Sequence, residues 1–397
     1  MKNQQPPNPS GHSLPLQLAV FLLVSASFTN IYLTQPVLPV LAKEFAANMV
    51  HVSFTVSAVL FGITLSNLPF GMLSDRLPIR TLIIVGTSVV AIGGLLAALS
   101  TNLPLLIAVR FLQGLFLPAL TTCVAAYLAR TLSLHRLNVV MGAYVSATVA
   151  GGLGGRFLGG WIHPPLHWRW AFVSATGFIL AAALLALYWL PKETTVREEA
   201  KKTSSYRQLL SNRQLLPLYG CGAGSFALFS SIFNYLPFRL SHTPFALSTE
   251  MITLTYSAYV VGIIMGPLAG RCANHFGSGV VISSGVISMA LALAALLAPS
   301  LIGVLAGLIG LCTGFFAVHA AAVGALNRKL NNSHGRANAL YVLFYYTGGW
   351  LGITITGLVY RTGNWNALIF TSLLFLLAPL LAGIQEIYGR RTSRLSR

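Results

Sequence analysis

The sequence predicts an all-α membrane protein, with twelve transmembrane helices in two pseudo-symmetric six-helix bundles. Three observations predict it. Hydrophobic residues make up 55% of the 397 residues and charged residues only 8%, against about 25% charged in a soluble domain. Twelve apolar stretches approach or exceed the roughly 20 residues that a helix needs to cross a bilayer. The basic residues between those stretches fall mostly on one side once the gaps are assigned alternately to two faces.

The apolar stretches run over 14–41, 50–71, 80–99, 104–128, 137–161, 168–190, 214–238, 249–270, 278–298, 301–325, 337–360 and 365–387. Residues 1–13 are a polar, Pro-rich tail whose only charge is Lys2. The run that follows lacks a small-residue cleavage pattern, so it reads as a retained first helix and not a signal peptide. With the N-terminus inside, the inner gaps hold 19 Lys and Arg and the outer gaps hold four: Lys43, Arg169, Arg239 and Arg361. Both termini are therefore expected in the cytoplasm. Residues 191–213 carry Pro191, three Glu and six basic residues. They read as a cytoplasmic linker between bundles over 14–190 and 214–388, either a plain tether or an amphipathic helix on the inner membrane surface. Residues 389–397 form a basic tail.

The net charge of +18 does not point to nucleic acid, because the basic residues sit in short gaps and not on one soluble face. Cys123, Cys221, Cys272 and Cys312 lie in or beside apolar runs, without metal-ligand spacing. The two bundles look related. A shift of 195 residues places Gly71 on Gly266 and Arg76 on Arg271. Slightly larger shifts place Gly114 on Gly310, Arg136 on Arg336, Asn138 on Asn338 and Trp168 on Trp365.

Three motifs carry a family resemblance that covers nearly the whole chain. Gly71-Met-Leu-Ser-Asp75-Arg76-Leu-Pro-Ile-Arg80 resembles the G-x-L-a-D-R-x-G-r-k loop between helices two and three of the major facilitator superfamily, with Pro78 in place of the second Gly. Gly266-Pro-Leu-Ala-Gly270-Arg271 echoes it without the acid. Arg110-Phe-Leu-Gln113-Gly114 looks like the family's R-x-x-q-G motif. Gly142, Gly151, Gly155, Gly159 and Gly160 match the glycine pattern of its drug:proton antiporter branch, with Arg156 where Pro is usual. Asn30-Ile-Tyr-Leu-Thr-Gln35-Pro36, Phe233-Asn234-Tyr235 and Leu340-Tyr341-Val-Leu-Phe-Tyr345-Tyr346 are similar to bacterial inner-membrane exporters of the arabinose-efflux and YnfM type. The resemblance implies the major facilitator fold, alternating access, and export of a small molecule driven by proton entry across a bacterial inner membrane. It also implies that helices one, four, seven, ten and eleven line the cavity, and that the glycine pattern seals the outer gate.

All seven acids, Glu44, Asp75, Glu193, Glu198, Glu199, Glu250 and Glu386, fall away from the middle of any span. No midplane carboxylate is therefore available to carry a proton or to attract a lipophilic cation. The charges inside spans are Arg110 and Arg156, at similar depth in the outer third. Arg does not deprotonate, so neither carries the proton. Exposure to lipid is costly, so each needs a cavity or a partner. Arg110 reads either as a cavity cation for an anionic group or as a structural Arg held by carbonyl oxygens. Arg156 reads either as a functional cation or as a structural Arg in a tightly packed, glycine-rich helix, able to snorkel near the outer end. His319 is the one histidine deep in an apolar run. Its ordinary pKa of about 6.5 suits proton coupling, while a hydrogen-bonded packing role is the other reading.

Asp75, Arg76, Arg80, Gly71 and Arg271 are expected to form a conformational clamp, with Asp75 paired to Arg76 or Arg80. Asn30, Gln35, Gln113, Asn234, Tyr235, Tyr341 and Tyr345 are candidate substrate contacts or interhelical hydrogen bonds. No phosphate-binding loop or catalytic constellation appears. The expected protein is a monomeric secondary transporter without cofactor or metal, in contact with membrane lipid, a proton and a small organic molecule. The basic, acid-poor interior leans toward an anionic or polar metabolite, a sugar derivative or a drug. An importer or uniporter of the same fold is the nearer alternative, and a polytopic receptor or membrane enzyme the more distant one.

Overall fold

The computed structural model describes residues 13–132, 134–190, 205–330 and 333–395. The tail over 1–12, most of the linker and the last two residues lie outside these, as do the side chains of Arg136 and Asn138.

The helices in the first part of the chain are α1 (Ser13–Tyr32), α2 (Leu38–Glu44), α3 (Met49–Leu73), α4 (Ile79–Ala98), α5 (Leu103–Leu120), α6 (Thr122–Thr131), α7 (Leu134–Ile162) and α8 (Arg169–Trp189). After the linker come α9 (Tyr206–Ser211), α10 (Leu216–Leu240), α11 (Thr249–Thr255), α12 (Val260–Phe276), α13 (Ser278–Leu296), α14 (Leu301–Arg328), α15 (His334–Phe375) and α16 (Leu377–Leu395). Among the described residues, ten stretches are long and apolar enough to cross a membrane. One of them, His334–Gly389, is broken at Asn364, whose φ is 63°, and so holds two crossings. With α7 the count is twelve.

Local chemistry sets where helices start and bend. Asn48 caps α3 by accepting from the amides of Val50 and His51, and Asn102 caps α5 by accepting from Leu105. Each cap satisfies N–H groups that have no partner within the helix. The first crossing is not one straight helix. Pro36 cannot donate to the ladder, and a 3₁₀ turn over Gln35–Val37 joins α1 to α2. A second 3₁₀ turn, Tyr256–Tyr259, joins α11 to α12.

Packing sorts the helices into two sets. In the first, α1 lies on α7 and α8, α3 on α5, and α4 on α5 and α8. In the second, α10 lies on α14, α15 and α16, α13 on α14 and α16, and α12 on α14. The sets meet where α3 runs along α15 and where α7 meets α11. The 3₁₀ turn after α1, together with α2, also lies against α10.

Glycines set the closest helix approaches. A Cβ on Gly151, Gly155 or Gly159 would stand 2.3, 2.4 or 1.8 Å from the carbonyl oxygen of Ser25, Thr29 or Leu33. This four-residue stripe presses α7 onto the backbone of α1. The same contact recurs in the second set, where a Cβ on Gly348 or Gly352 would meet the carbonyl of Ala223 or Ala227 at 2.1 or 2.4 Å. Gly348 and Gly352 lie 197 residues after Gly151 and Gly155, in line with the sequence repeat. Gly142 is different, because nothing lies within 4 Å of a Cβ there, so it takes no part in the stripe.

Two alanine substitutions in α7 should therefore differ in sign. Gly155→Ala forces backbones apart and should lower stability by about 1–3 kcal/mol. Gly142→Ala should be neutral or stabilising by up to about 1 kcal/mol, since Ala favours the helix. Thermal unfolding in mild detergent reads both, and equal losses would refute the stripe as the cause.

Candidate functional site

The two ends of the molecule differ. At one end, Glu44 accepts from the indole of Trp168 and pairs with Arg169 at 2.6 Å. At the other, Asp75 pairs with Arg130 at the end of α6, and Arg130 also donates to the carbonyl of Ser74. Sequence reading offered Arg76 or Arg80 as the partner of Asp75. Arg80 instead donates to the carbonyl of Leu190. The Asp75 side chain remains 68% exposed despite its ion pair, and Arg271 is also exposed; among the described residues the ion pair of Asp75 is with Arg130 and not with Arg76, Arg80 or Arg271. Lys329 and Glu386 pair at 2.6 Å in the second set.

Arg156 lies between the two sets, near the Glu44 end, and is fully buried. Its Nε donates to Oε1 of Gln35 at 2.8 Å, and one terminal nitrogen donates to the Gly152 carbonyl at 2.7 Å. The other terminal nitrogen reaches the second set and donates to the hydroxyl of Tyr259 at 2.7 Å. The guanidinium carbon lies 4.2 Å from the ring centres of Tyr32 and Tyr259, 5.2 Å from Tyr256 and 5.9 Å from Phe233. Both 3₁₀ turns serve this site. The first carries Gln35. The second places Tyr256 and Tyr259 three residues apart, a spacing at which side chains of a 3₁₀ turn point the same way.

Burying a guanidinium costs several kcal/mol. Hydrogen bonds to a charged group return about 1.5–3 kcal/mol each, and a desolvated ring face up to about 2. Three such bonds and four rings are of the size needed to hold Arg156 charged without a carboxylate. Among the described residues, none pairs with it. Nearby, a Cβ on Gly160 would stand 1.8 Å from Oγ1 of Thr253, so α7 and α11 touch at this level. Asn234 donates to the hydroxyl of Ser53 at 2.9 Å, a further bond between the sets.

Arg110 is equally buried but is held within the first set. It donates to the carbonyls of Thr55 at 3.0 Å and Ile31 at 2.8 Å, and to Oε1 of Gln113 at 2.7 Å, with Phe172 beneath it at 5.5 Å. Gln113 in turn donates to the carbonyl of Val90. The pair thus ties α1, α3, α4 and α5 together. Of the two readings open for Arg110, the geometry matches the one in which carbonyl oxygens hold it.

His319 and Tyr341 lie 3.1 Å apart through Nδ1 and the hydroxyl, with Tyr345 beside them. Tyr345 stacks on Phe226 with ring centres 3.8 Å apart. His319 and Tyr345 are partly exposed, Tyr341 is buried. Tyr235 is buried and donates to the carbonyl of Ile353, tying α10 to α15. Asn30 donates to Ala26, while its own side-chain oxygen is buried without a partner, as is that of Asn234.

Sequence reading missed the cage side chains Tyr256 and Tyr259, and Arg130 as the partner of Asp75. The i, i+3 tyrosine pair in an otherwise apolar span was the available signal for the first. A lateral groove of about 770 Å³ between α3 and α5, lined by residues such as His51, Phe54, Phe61 and Phe111, contains none of the predicted site residues.

These features define a polytopic helical membrane protein whose two related helix sets share a buried Arg156 contact near the Glu44 end and a bond from Asn67 to the Ala339 carbonyl toward the other. The profile of the Major Facilitator Superfamily matches residues 20–318, and the chain belongs to that superfamily of membrane transporters. It is 28% identical over 372 residues to the inner membrane transport protein YnfM of Escherichia coli (strain K12), covering 92% of this chain and 89% of that protein. An uncharacterized transporter of Buchnera aphidicola subsp. Schizaphis graminum (strain Sg) is 28% identical over 335 residues, 83% of this chain and 81% of that one. The fold is similar to the crystal structure of a bacterial homologue of the human lysosomal transporter Spinster, in an inward-facing and unoccupied conformation. The TM-score is 0.78 at 13% identity, with 97% of this chain and 98% of that chain covered.

The roles of the two arginines separate experimentally. Arg110→Leu should strip the carbonyls of Thr55 and Ile31 of a buried donor and destabilise by at least about 2–3 kcal/mol. Arg110→Lys should not restore the loss, because an ammonium lacks the planar fork. A melting temperature in detergent unchanged by Arg110→Leu would contradict the bracing role.

Proposed function

We propose that this transporter exports a small polar or anionic organic molecule across a bacterial inner membrane by alternating access, with proton entry as the driving force. The observation that carries alternating access is the asymmetry between the ends. The two sets are joined near the Glu44 end by Arg156 to Tyr259, Asn234 to Ser53 and Gly160 against Thr253. Toward the opposite end Asn67 of α3 still donates to the carbonyl of Ala339 of α15 at 3.2 Å, but the ion pair there, Asp75 with Arg130, stands exposed and lies within one set. Assigning the Asp75 end to the cytoplasm follows the Lys and Arg bias, and makes this conformation closed to the outside.

The substrate would lie between the sets, against Asn30, Asn234, His319, Tyr341 and Tyr345. Two buried carboxamide oxygens without partners, on Asn30 and Asn234, support a ligand that donates hydrogen bonds, such as a hydroxylated or amide-bearing metabolite. An unmet buried acceptor carries a desolvation penalty of about 1–3 kcal/mol, which a donor on the substrate would relieve. Proton coupling has two candidates. His319 bonds a tyrosine near the second-set aromatic cluster. Asp75 can release Arg130 on protonation and so loosen the loop after α3. Export and proton entry draw their support from the antiporter-like glycine pattern and from the similarity to exporters.

Two measurements test this reading. Proteoliposome flux of a ligand found by thermal-shift screening should follow an imposed proton gradient and collapse with a protonophore, and gradient-independent flux would remove the coupling. Asp75→Asn should cut flux at least tenfold while the protein stays monodisperse with a melting temperature within a few degrees. Loss of fold in place of loss of flux would leave the clamp a structural pair.

A further inference from the structure

The two buried arginines differ in who holds them, and the difference has a chemical consequence. Every partner of Arg110 belongs to the first set: Ile31, Thr55, Gln113 and Phe172. Motion of one set against the other leaves that shell intact. Arg156 is held jointly. Gln35, Gly152 and Tyr32 are its own set's contribution, and Tyr259, Tyr256 and Phe233 are the other's. Parting of the sets at this end withdraws one hydrogen-bond acceptor and three of four ring faces in a single step. A permanent cation is then left facing the opening, with its terminal N–H groups free on the side Tyr259 had occupied.

We propose that Arg156 is a receptor for the carboxylate of an amphiphilic organic anion, a site that exists only when the two sets part at the Glu44 end. In the closed state the Tyr259 hydroxyl is the competing ligand that fills it. This deepens the reading above and rests on alternating access. The planar fork suits a carboxylate, which it can engage with two parallel hydrogen bonds. One guanidinium matches one negative charge. The ring of Tyr32 and the amide of Gln35 remain as walls, so an aromatic or apolar body attached to the carboxylate is favoured over a small hydrated ion. Differential binding follows directly. An anion of this class stabilises only the opened state, because in the closed state the guanidinium is fully buried and already bonded, and a ligand shifts an equilibrium only through such a difference.

The test uses the full chain in proteoliposomes carrying Thr253→Cys and Cys272→Ser. Position 253 is buried against Gly160 in the closed state, so maleimide labelling there reports parting of the sets. Benzoate, with neutral benzamide as control, serves as probe. Benzoate should raise the labelling rate several-fold and benzamide should not. Tyr259→Phe removes the competitor and should label faster without ligand and respond to at least fivefold less benzoate. Arg156→Lys should need at least tenfold more benzoate, and Arg156→Gln should lose the response. Equal effects of benzoate and benzamide, or a benzoate response retained in Arg156→Gln, would overturn the site. If an imposed proton gradient changes labelling while benzoate does not, the carboxylate site falls and alternating access stands. If labelling responds to neither, both fall.

Discussion

Keeping two guanidinium groups charged inside an apolar interior is the constraint on which the rest of this structure depends. Neither Arg110 nor Arg156 has a carboxylate partner among the described residues, so each must be satisfied by dipoles and ring faces. For Arg110 the dipoles are main-chain carbonyls of α1 and α3. The Ile31 carbonyl lies in the last turn of α1, where carbonyls lack partners within the helix, so an Arg that bonds it together with Thr55 also fixes how α1, α3 and α5 lie together. Arg156 needs more, and the backbone departs from α-helix twice to supply it. The 3₁₀ turn at Gln35–Val37 and the one at Tyr256–Tyr259 are otherwise weak points in membrane helices. Their location is explained by the side chains they deliver.

That arrangement requires the helices to be close. Glycine stripes press α7 onto α1 and α15 onto α10, backbone against backbone. In lipid there is little hydrophobic drive between helices, and small residues that permit close contact carry much of the association. The stripe on α7 has a second effect. It holds Gly152 and Arg156 in register with Tyr32 and Gln35 on the neighbouring crossing, so that the first-set portion of the cage is rigid. The other portion belongs to the turn after α11, with Tyr256 and Tyr259, and to Phe233 of α10. A cage divided between a fixed wall and a movable one is closed when the sets meet and incomplete when they part.

The contrast between the two arginines shows how one residue type serves two ends. A brace within one set should be indifferent to motion of that set, and Arg110 would be, because every partner it has lies in the same set. A latch between sets must be sensitive to such motion, and Arg156 would be, because Tyr259 belongs to the other set. Asp75 and Arg130 sit at the far end, exposed and bonded within the first set, where water screens the pair and makes its strength small. A weak pair is suited to being exchanged for another contact when that end closes.

Much of this was legible in the sequence. Twelve apolar runs, the excess of Lys and Arg on one side, and the ordered matches between the two parts of the chain determined the class, the number of crossings and the duplicated plan. These are properties of period, length and composition, and lipid enforces them on any sequence of this kind. The glycines of α7 were legible too and pointed toward Arg156 as a packing element, while the absence of a midplane acid showed that the buried arginines would have to be satisfied without one. What only the tertiary structure decided was who meets whom. Asp75 bonds Arg130, 55 residues away, and Arg156 bonds Gln35 and Tyr259, 121 and 103 residues away. Nothing local in the chain encodes such pairs. They arise because a buried donor must take the acceptor that packing brings within about 3 Å, and packing is decided by all twelve crossings together.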